Sequence, residues 1–151
     1  LFLTTTGYLM CRKNLSANYY RGIGKTIFLY LICSIVCIIY KQYSGIASYT
    51  IKTSFWAILD FSAANYSWYI EMYIGLFLLI PFLNLIYQNL STANQKRILL
   101  VTLFFICSFS NFISCFTKYE FSIFPDYWSA FYPLFYYFLG SYFREYKDFI
   151  F

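Results

Sequence analysis

The sequence predicts an all-α protein built as a polytopic bundle of transmembrane helices. Of its 151 residues, 61% are hydrophobic and only 11% are charged, whereas soluble domains carry about 25% charged residues. Aromatic residues reach 26%, almost all of them Phe and Tyr, which suit the hydrocarbon and the membrane–water boundary. We therefore expect the lipid bilayer to cover most of the helix surface.

Apolar runs predict about five helices. A spanning helix needs about 20 mostly apolar residues, and the first run, with about half that length, is predicted to be a truncated helix. The runs cover residues 1–11, 23–43, 68–87, 98–116 and 127–143. Two of them contain a proline, Pro81 and Pro133, which lipid tolerates where a neighbouring helix satisfies the freed carbonyl group.

The distribution of basic residues predicts the side of the membrane on which each connector lies. Lys and Arg concentrate in segments 12–22 and 88–97 and in the C-terminal tail. These alternate with segments 44–67 and 117–126, and the positive-inside rule assigns the first set to the cytoplasm. The net charge of +5 is thus explained by topology and anionic lipid. The sequence contains no basic strip with interleaved stacking aromatics, which is the pattern that would indicate a nucleic acid partner.

The outer segment 49–62 has a helical pattern of its own. Ile51, Phe55, Ile58 and Leu59 recur at helical spacing, away from the charged side chains of the same segment. This pattern predicts an interfacial amphipathic helix lying on the outer membrane surface. The alternative is an irregular loop with scattered apolar residues.

The residues that usually carry metal or nucleophilic chemistry are scarce. The chain contains no histidine, which excludes a His-dependent triad or His metal site within these residues. Among its five cysteines, Cys33 and Cys37 share a helix face, but no second pair completes a zinc site. The cysteines are therefore predicted to be small apolar side chains, and we expect neither a metal nor a bound cofactor.

Glu71 is the most informative polar position, about one turn into the outer end of the third predicted helix. A carboxylate in lipid is costly and usually faces a bundle interior or a wet cavity. Gly75 lies on the same face, where it would let another backbone approach. One interpretation is that Glu71 binds substrate in an outward cavity. The other is that it lies at the headgroups and pairs with Lys or solvent.

Aromatic residues surround Glu71 at the predicted outer boundary of the membrane. Trp68, Tyr69 and Tyr73 lie on the same helix, and Tyr66 precedes it. Such a cluster is typical of the interfacial aromatic belt. A platform on which a sugar ring stacks is the alternative, and we count Trp68, Tyr69 and Tyr73 with Glu71 as candidate substrate-binding residues.

Two polar pairs lie at the predicted cytoplasmic ends of helices. Arg21 and Lys25 are four residues apart and form a small cationic patch suited to phosphate, although ordinary topology charges would look the same. Asn84 and Gln88 are also four apart. We predict that this second pair forms hydrogen bonds across helices rather than binding a ligand.

Four stretches, in order along the chain, resemble the bacterial membrane acyltransferase 3 family. They are LFLTTTGYLMCRK (Leu1–Lys13), LSANYYRGIGKTIFLY (Leu15–Tyr30), NYSWYIEMYIGLFLLIPFLNLIY (Asn65–Tyr87) and FYPLFYYFLGSYFREY (131–146). The third is similar to the signature helix of that family. Its matching positions are Trp68, Tyr69, Tyr73, Leu76, Leu79, Pro81 and Leu83.

The resemblance implies a multi-pass enzyme of the bacterial plasma membrane. Such an enzyme takes an acyl group, usually acetyl, from acyl-CoA as co-substrate and places it on a hydroxyl of a cell-surface glycan. Arg21 and Lys25 then become candidate contacts of acyl-CoA, although their spacing differs from the basic element of the family. An acidic residue near Glu71 matters in some relatives. The essential His of the family belongs to a helix that precedes Leu1, so the catalytic residues are expected outside this chain.

Residues 1–151 are accordingly expected to form part of a single transmembrane acyltransferase domain. Its first helix and its C-terminal helices are missing here and would be partners of this chain, so the fragment alone should be inactive. Two alternatives stay open at the level of sequence: a polysaccharide flippase or other transporter, and a non-catalytic membrane subunit.

Overall fold

The computed structural model describes residues 1–117 and 124–147, and every regular element within them is helical. The prediction of an all-α protein is confirmed over this part of the chain. The helices are α1 (Phe2–Met10), α2 (Ala17–Arg21), α3 (Ile23–Tyr43), α4 (Ile51–Leu59), α5 (Ser67–Asn89), α6 (Ala93–Phe104), α7 (Ser110–Thr117) and α8 (Tyr132–Glu145), with a π-helical segment (Phe105–Phe109) and a 3-10 helix (Asp126–Phe131).

Within the described residues, two helical stretches are long and apolar enough to cross a membrane: Ala17–Tyr43, which contains α2 and α3, and α5. Only 17% and 33% of their most apolar windows are buried. The core helix of a soluble domain would bury most of its apolar surface, whereas a membrane span exposes it to lipid. The predicted multi-pass topology thus has two candidate spans in the structure, and the remaining predicted spans are shorter or interrupted.

The predicted helix over residues 98–116 is confirmed as helical at every one of these residues, and it contains a π-helical segment. The structure divides this region into α6, the π-helical segment and α7. Helix α6 also begins earlier than predicted, because Thr92 and Gln95 cap it reciprocally through contacts of 3.2 and 3.3 Å between side chain and backbone. Lys96 and Arg97 therefore belong to the first turns of a helix and not to a connector.

The predicted helix over residues 127–143 begins as a 3-10 helix and becomes α-helical only at α8. Pro133 lies in the first turn of α8, where a missing N–H removes no intrahelical bond. Most of the predicted outer connector 117–126 lies outside the described residues.

Helix α4 confirms that the outer segment 49–62 contains a helix. Three residues of its predicted apolar stripe point away from the protein, since Ile51, Phe55 and Leu59 are 91%, 60% and 53% exposed. Ala57 lies on the opposite side and is buried with Ile38 of α3. An exposed apolar stripe is what an interfacial helix offers to lipid, and the position of α4 on the membrane surface stays a prediction.

The chain folds as two compact units. The first unit consists of Leu1–Asn14 and Ile80–Phe151, and the second unit is Leu15–Leu79. The division falls within α5, so this helix contributes its N-terminal part to the second unit and its C-terminal part to the first.

Pro81 leaves one carbonyl group of α5 without its helical donor, and a side chain of the second unit satisfies that group. Proline has no N–H, so the carbonyl group four residues earlier, that of Phe77, loses its helical donor. The hydroxyl of Tyr19 donates to the Phe77 oxygen at 2.7 Å, and the two rings stack with centroids 4.4 Å apart. The predicted satisfaction of the freed carbonyl by a neighbouring helix is therefore confirmed.

In the first unit, α1 and α8 cross at glycines. A Cβ atom added to Gly7 would overlap the carbonyl oxygen of Tyr137, and one added to Gly140 would overlap the carbonyl oxygen of Thr4. Ser141 is buried beside this crossing, and its hydroxyl donates to the Tyr137 oxygen at 3.1 Å. Small residues at a crossing allow backbones to touch, which is how helices associate in lipid.

Candidate functional site: a cationic cavity

A cavity of about 320 Å³ lies in the first unit, where the ends of α1, α5 and α8 meet the start of α6. Of its eight lining residues, three are basic and one is acidic. The lining residues are Cys11, Arg12, Tyr87, Gln88, Lys96, Ser141, Arg144 and Glu145. The structure thus brings together Arg12, Lys96 and Arg144 from three segments that the charge pattern assigns to the same side of the membrane. We refer to this space as the cationic cavity.

Asn84 holds the elements around the cationic cavity together. Its amide nitrogen donates to the carbonyl oxygens of Met10 at 2.9 Å and Lys13 at 2.7 Å, after the last turn of α1. Its amide oxygen accepts from the hydroxyl of Tyr137 on α8 at 2.7 Å. Asn84 is 2% exposed, and its predicted role in bonding across helices is confirmed. Gln88, its predicted companion, lines the cavity instead.

Arg144 completes the C-terminal end of α1. Its guanidinium donates to the carbonyl oxygens of Tyr8 at 2.7 Å and Leu9 at 3.2 Å, and it lies 5.5 Å from the centre of the Tyr8 ring. The last carbonyl groups of a helix lack intrahelical donors and carry partial negative charge, so a cation is favourable there. These contacts fix the guanidinium at the wall of the cavity.

Lys96 is a buried cation in the lining of the same cavity. Its ammonium donates to both carboxylate oxygens of Glu145, at 2.6 and 2.8 Å, and lies 4.7 Å from the centre of the Tyr87 ring. Only 9% of the Lys96 side chain is exposed, against 40% of the Glu145 side chain. Contact with a ring face and a carboxylate compensates for the water that the ammonium has lost.

A second basic side chain on α6 lies outside the lining. The Arg97 guanidinium is hydrogen-bonded to the Tyr142 hydroxyl at 3.0 Å, and this bond raises the pKa of Arg97 above its ordinary value. Arg97 is exposed. It adds a permanent positive charge to the same helix end.

The charges of the cavity suit a polyanion. Three basic side chains face a single lining carboxylate, that of Glu145. Guanidinium groups bind phosphate through paired N–H donors, and ammonium groups bind it as point charges. The volume lies at the low end of the range of about 300–1,000 Å³ that small-molecule sites have. Among the described residues, no three His, Cys, Asp or Glu side chains come together as a metal site.

The predicted outer residues divide between two locations in the second unit. Trp68 and Tyr69 line a mainly apolar cavity of about 490 Å³ together with Tyr30 and Ser34 of α3. Glu71 is exposed on α5 and is not part of that lining. The structure therefore gives two of the four candidate substrate-binding residues a shared cavity.

The other candidates on α5 have different surroundings. Tyr73 is half-buried beside the Phe77 ring, with centroids 6.0 Å apart. The sequence predicts a close approach of another backbone at Gly75. The structure has open space at its Cβ position, so no backbone of the described residues makes that approach. The substrate-binding roles of Glu71, Trp68, Tyr69 and Tyr73 stay predictions.

Arg21 and Lys25 are both exposed in the second unit and do not line the cationic cavity. Their contact with acyl-CoA stays a prediction. No motif in the sequence marks Arg12, Lys96, Arg144 and Glu145 as a site. The signal that could have found them was the charge pattern itself, because all four fall in segments assigned to one side of the membrane.

The structure combines two apolar helical stretches that could span a membrane with a cavity lined by three basic side chains. A family model described as an acyltransferase domain matches residues 1–151. The chain therefore belongs to the acyltransferase 3 family, as its sequence motifs predict, and it is a membrane acyltransferase in general terms. No curated protein and no solved structure matches it.

Proposed function

We propose that the intact protein transfers an acyl group, most simply acetyl, from acyl-CoA at the cytoplasmic face of the bacterial plasma membrane to a hydroxyl group of a cell-surface glycan. Family membership supports the acyl transfer. The observation that carries the choice of donor is the cationic cavity, which gathers three basic side chains from segments predicted to lie in the cytoplasm.

The donor is anionic at one end and reactive at the other. Coenzyme A carries phosphate groups on its nucleotide and a thioester at the tip of its long arm. Arg12 and Arg144 would hold phosphate oxygens by charge-assisted hydrogen bonds. Contact of acyl-CoA with the exposed pair Arg21 and Lys25 is a separate proposal, which rests on the family resemblance. No bound cofactor is needed, because acyl-CoA is a co-substrate.

The acceptor would bind at the predicted outer end of α5. Trp68 and Tyr69 already line one cavity, and aromatic faces of this kind stack on the apolar face of a sugar ring. Glu71 is proposed to accept hydrogen bonds from sugar hydroxyl groups, and Tyr73 to complete the platform.

The reaction needs a base that these residues do not supply. The acceptor oxygen attacks the thioester carbonyl carbon and its proton passes to the base. The C–S bond then breaks, and the base returns that proton to the sulfur, which releases coenzyme A as the thiol. His is the usual base near neutral pH, and the chain has none. We place the base in the intact protein outside residues 1–151.

The donor site is tested by a matched pair of charge-removing variants in the intact protein. Arg12→Gln should raise the KM for acetyl-CoA about tenfold, the equivalent of one charge-assisted hydrogen bond, while kcat changes less. Lys13→Gln removes the same charge from the neighbouring exposed residue, which is not in the cavity lining, and should leave KM unchanged. The rate at which the coenzyme A thiol is released gives KM and kcat for the two variants. Equal KM values would contradict the assignment of Arg12 to the donor site.

The acceptor site is tested with Glu71→Gln, which keeps the size of the side chain and removes its charge. We expect acetylation of the glycan to fall about tenfold or more, because a charged acceptor is replaced by a neutral one. Asp60→Asn, an exposed change on the same predicted side, is the control. Wild-type glycan acetylation by the Glu71 variant would remove this residue from the mechanism.

A further inference from the structure

The ion pair in the cationic cavity joins a buried partner to an exposed one. The Lys96 side chain is 9% exposed and that of Glu145 is 40% exposed. A buried ammonium needs an anionic partner, because the cost of removing it from water is otherwise uncompensated. The Glu145 carboxylate is partly hydrated already and loses little if it is released to solvent. The pair is therefore asymmetric: Lys96 depends on an anion, and Glu145 does not depend on Lys96.

Both members of the pair line the space that suits a phosphate group. Glu145 presents two carboxylate oxygens to the Lys96 ammonium at 2.6 and 2.8 Å, and a phosphate offers oxygens of the same kind and charge. The Tyr87 ring, 4.7 Å from the ammonium, would support Lys96 equally well with either partner.

We propose that Glu145 is a built-in anion that holds Lys96 before the donor binds, and that a phosphate group of the donor replaces Glu145 at the Lys96 ammonium. The proposal rests on the proposed acyl-CoA site. The exchange keeps Lys96 paired throughout, so the cation is positioned in advance and never buried alone. Glu145 also competes with the phosphate, which weakens binding of the donor and of the coenzyme A that must leave after the reaction.

The competition predicts that removal of the Glu145 charge strengthens anion binding. We would measure the Kd of coenzyme A and of inorganic pyrophosphate by calorimetry, with the intact protein in lipid nanodiscs. Glu145→Gln should tighten both by about tenfold, since the ligand no longer displaces a charge-assisted bond. Glu145→Asp keeps the charge on a shorter side chain, and its two Kd values should lie between those of Glu145→Gln and those of the wild type. Lys96→Gln should weaken both and abolish the effect of Glu145→Gln.

Asp60→Asn is the matched control, because it makes the same change of net charge at an exposed residue of the second unit. Its replacement keeps an acceptor oxygen for the Ser62 N–H, now 3.0 Å from Asp60, and both Kd values should stay at the wild-type level. Tighter binding in this control as in Glu145→Gln would overturn the proposal, since net charge alone would then explain the effect.

The two probes separate this proposal from the assignment of the donor. Unchanged or weaker pyrophosphate binding in Glu145→Gln overturns the exchange, whatever coenzyme A does. Tighter pyrophosphate binding with no binding of coenzyme A supports the exchange and contradicts the acyl-CoA donor. If neither probe binds to any variant, both the exchange at Lys96 and the acyl-CoA donor site are overturned. If Glu145→Gln does not fold, the exchange is tested with Glu145→Asp instead. A pyrophosphate Kd equal to that of the wild type would then overturn the exchange.

Discussion

At the scale of single residues, Pro81 in α5 requires a compensating hydrogen bond, and Tyr19 in α2 supplies it. Inside a bilayer no water can satisfy the Phe77 carbonyl that Pro81 leaves without a helical donor. The Tyr19 hydroxyl supplies the missing bond at 2.7 Å, and the stacked rings of Tyr19 and Phe77 hold it in place. A proline in the signature helix is thus tolerated because α2 carries a tyrosine whose hydroxyl reaches the Phe77 carbonyl oxygen.

Tyr19→Phe should lower the free energy of unfolding by about 1–3 kcal/mol, because it removes the hydroxyl and leaves a buried acceptor unsatisfied. Pro81→Ala restores a helical N–H for the Phe77 carbonyl. In the Pro81→Ala background, Tyr19→Phe should therefore cost much less.

Thermal unfolding in detergent measures this double-mutant cycle, with Tyr20→Phe as the control. Tyr20 is half-buried and neighbours Tyr19 edge-on, so its variant reports the loss of an ordinary hydroxyl group. Equal effects of Tyr19→Phe with and without Pro81 would contradict the link.

At the scale of elements, the first unit depends on the close crossing of α1 and α8 and on the polar contacts below it. Gly7 and Gly140 allow the two backbones to touch. Asn84 and Arg144 then satisfy carbonyl groups at the C-terminal end of α1. The crossing sets the positions of Arg12 and Arg144, so the shape of the cationic cavity follows from the packing of two glycines.

Gly7→Ala and Gly140→Ala should each destabilise the protein by about 3 kcal/mol or more, because the new methyl group meets backbone that cannot rotate away. Gly24→Ala is the control: it lies in α3 with open space at its Cβ position, and alanine favours a helix over glycine by about 1 kcal/mol. Chemical unfolding in detergent compares the three. Unchanged stability of both crossing variants would show that α1 and α8 do not pack in this way.

Asn84→Leu should cost about 2–3 kcal/mol, since it removes the donor to Met10 and Lys13 and the acceptor of Tyr137. Asn89→Leu on the same helix is the matched control, because the Asn89 amide bonds to the carbonyl of its own preceding turn, that of Leu85, and not across helices within the described residues. Similar losses in both variants would contradict the structural role of Asn84.

The elements differ in how far the sequence determines them. The prediction of a helix over residues 23–43 agrees with α3 at both ends, since a long apolar run with terminal Lys residues admits few alternatives. The start of α6 was misplaced because Lys96 and Arg97 look like connector charges. The π-helical segment has no signal in hydrophobic periodicity, since its residues are as apolar as their neighbours.

At the scale of the whole molecule, class and family follow from the sequence, but the site does not. Composition and charge alternation indicate a membrane protein, and four ordered motifs indicate the acyltransferase 3 family. The cationic cavity depends on contacts between residues far apart in the chain, such as Arg144 with Tyr8 and Lys96 with Glu145. Neither spacing nor periodicity encodes those contacts, so only the packing of α8 against α1 and α6 reveals them.

The central claim is that a donor site on the cytoplasmic side takes acyl-CoA. Acetyl transfer in sealed membrane vesicles of defined orientation, carrying the intact protein, tests it most directly. We predict that label from acetyl-CoA enters glycan in inside-out vesicles, where Arg12, Lys96 and Arg144 face the added donor, and not in sealed right-side-out vesicles until they are permeabilised. Transfer in sealed right-side-out vesicles, or none in either orientation, would contradict the account.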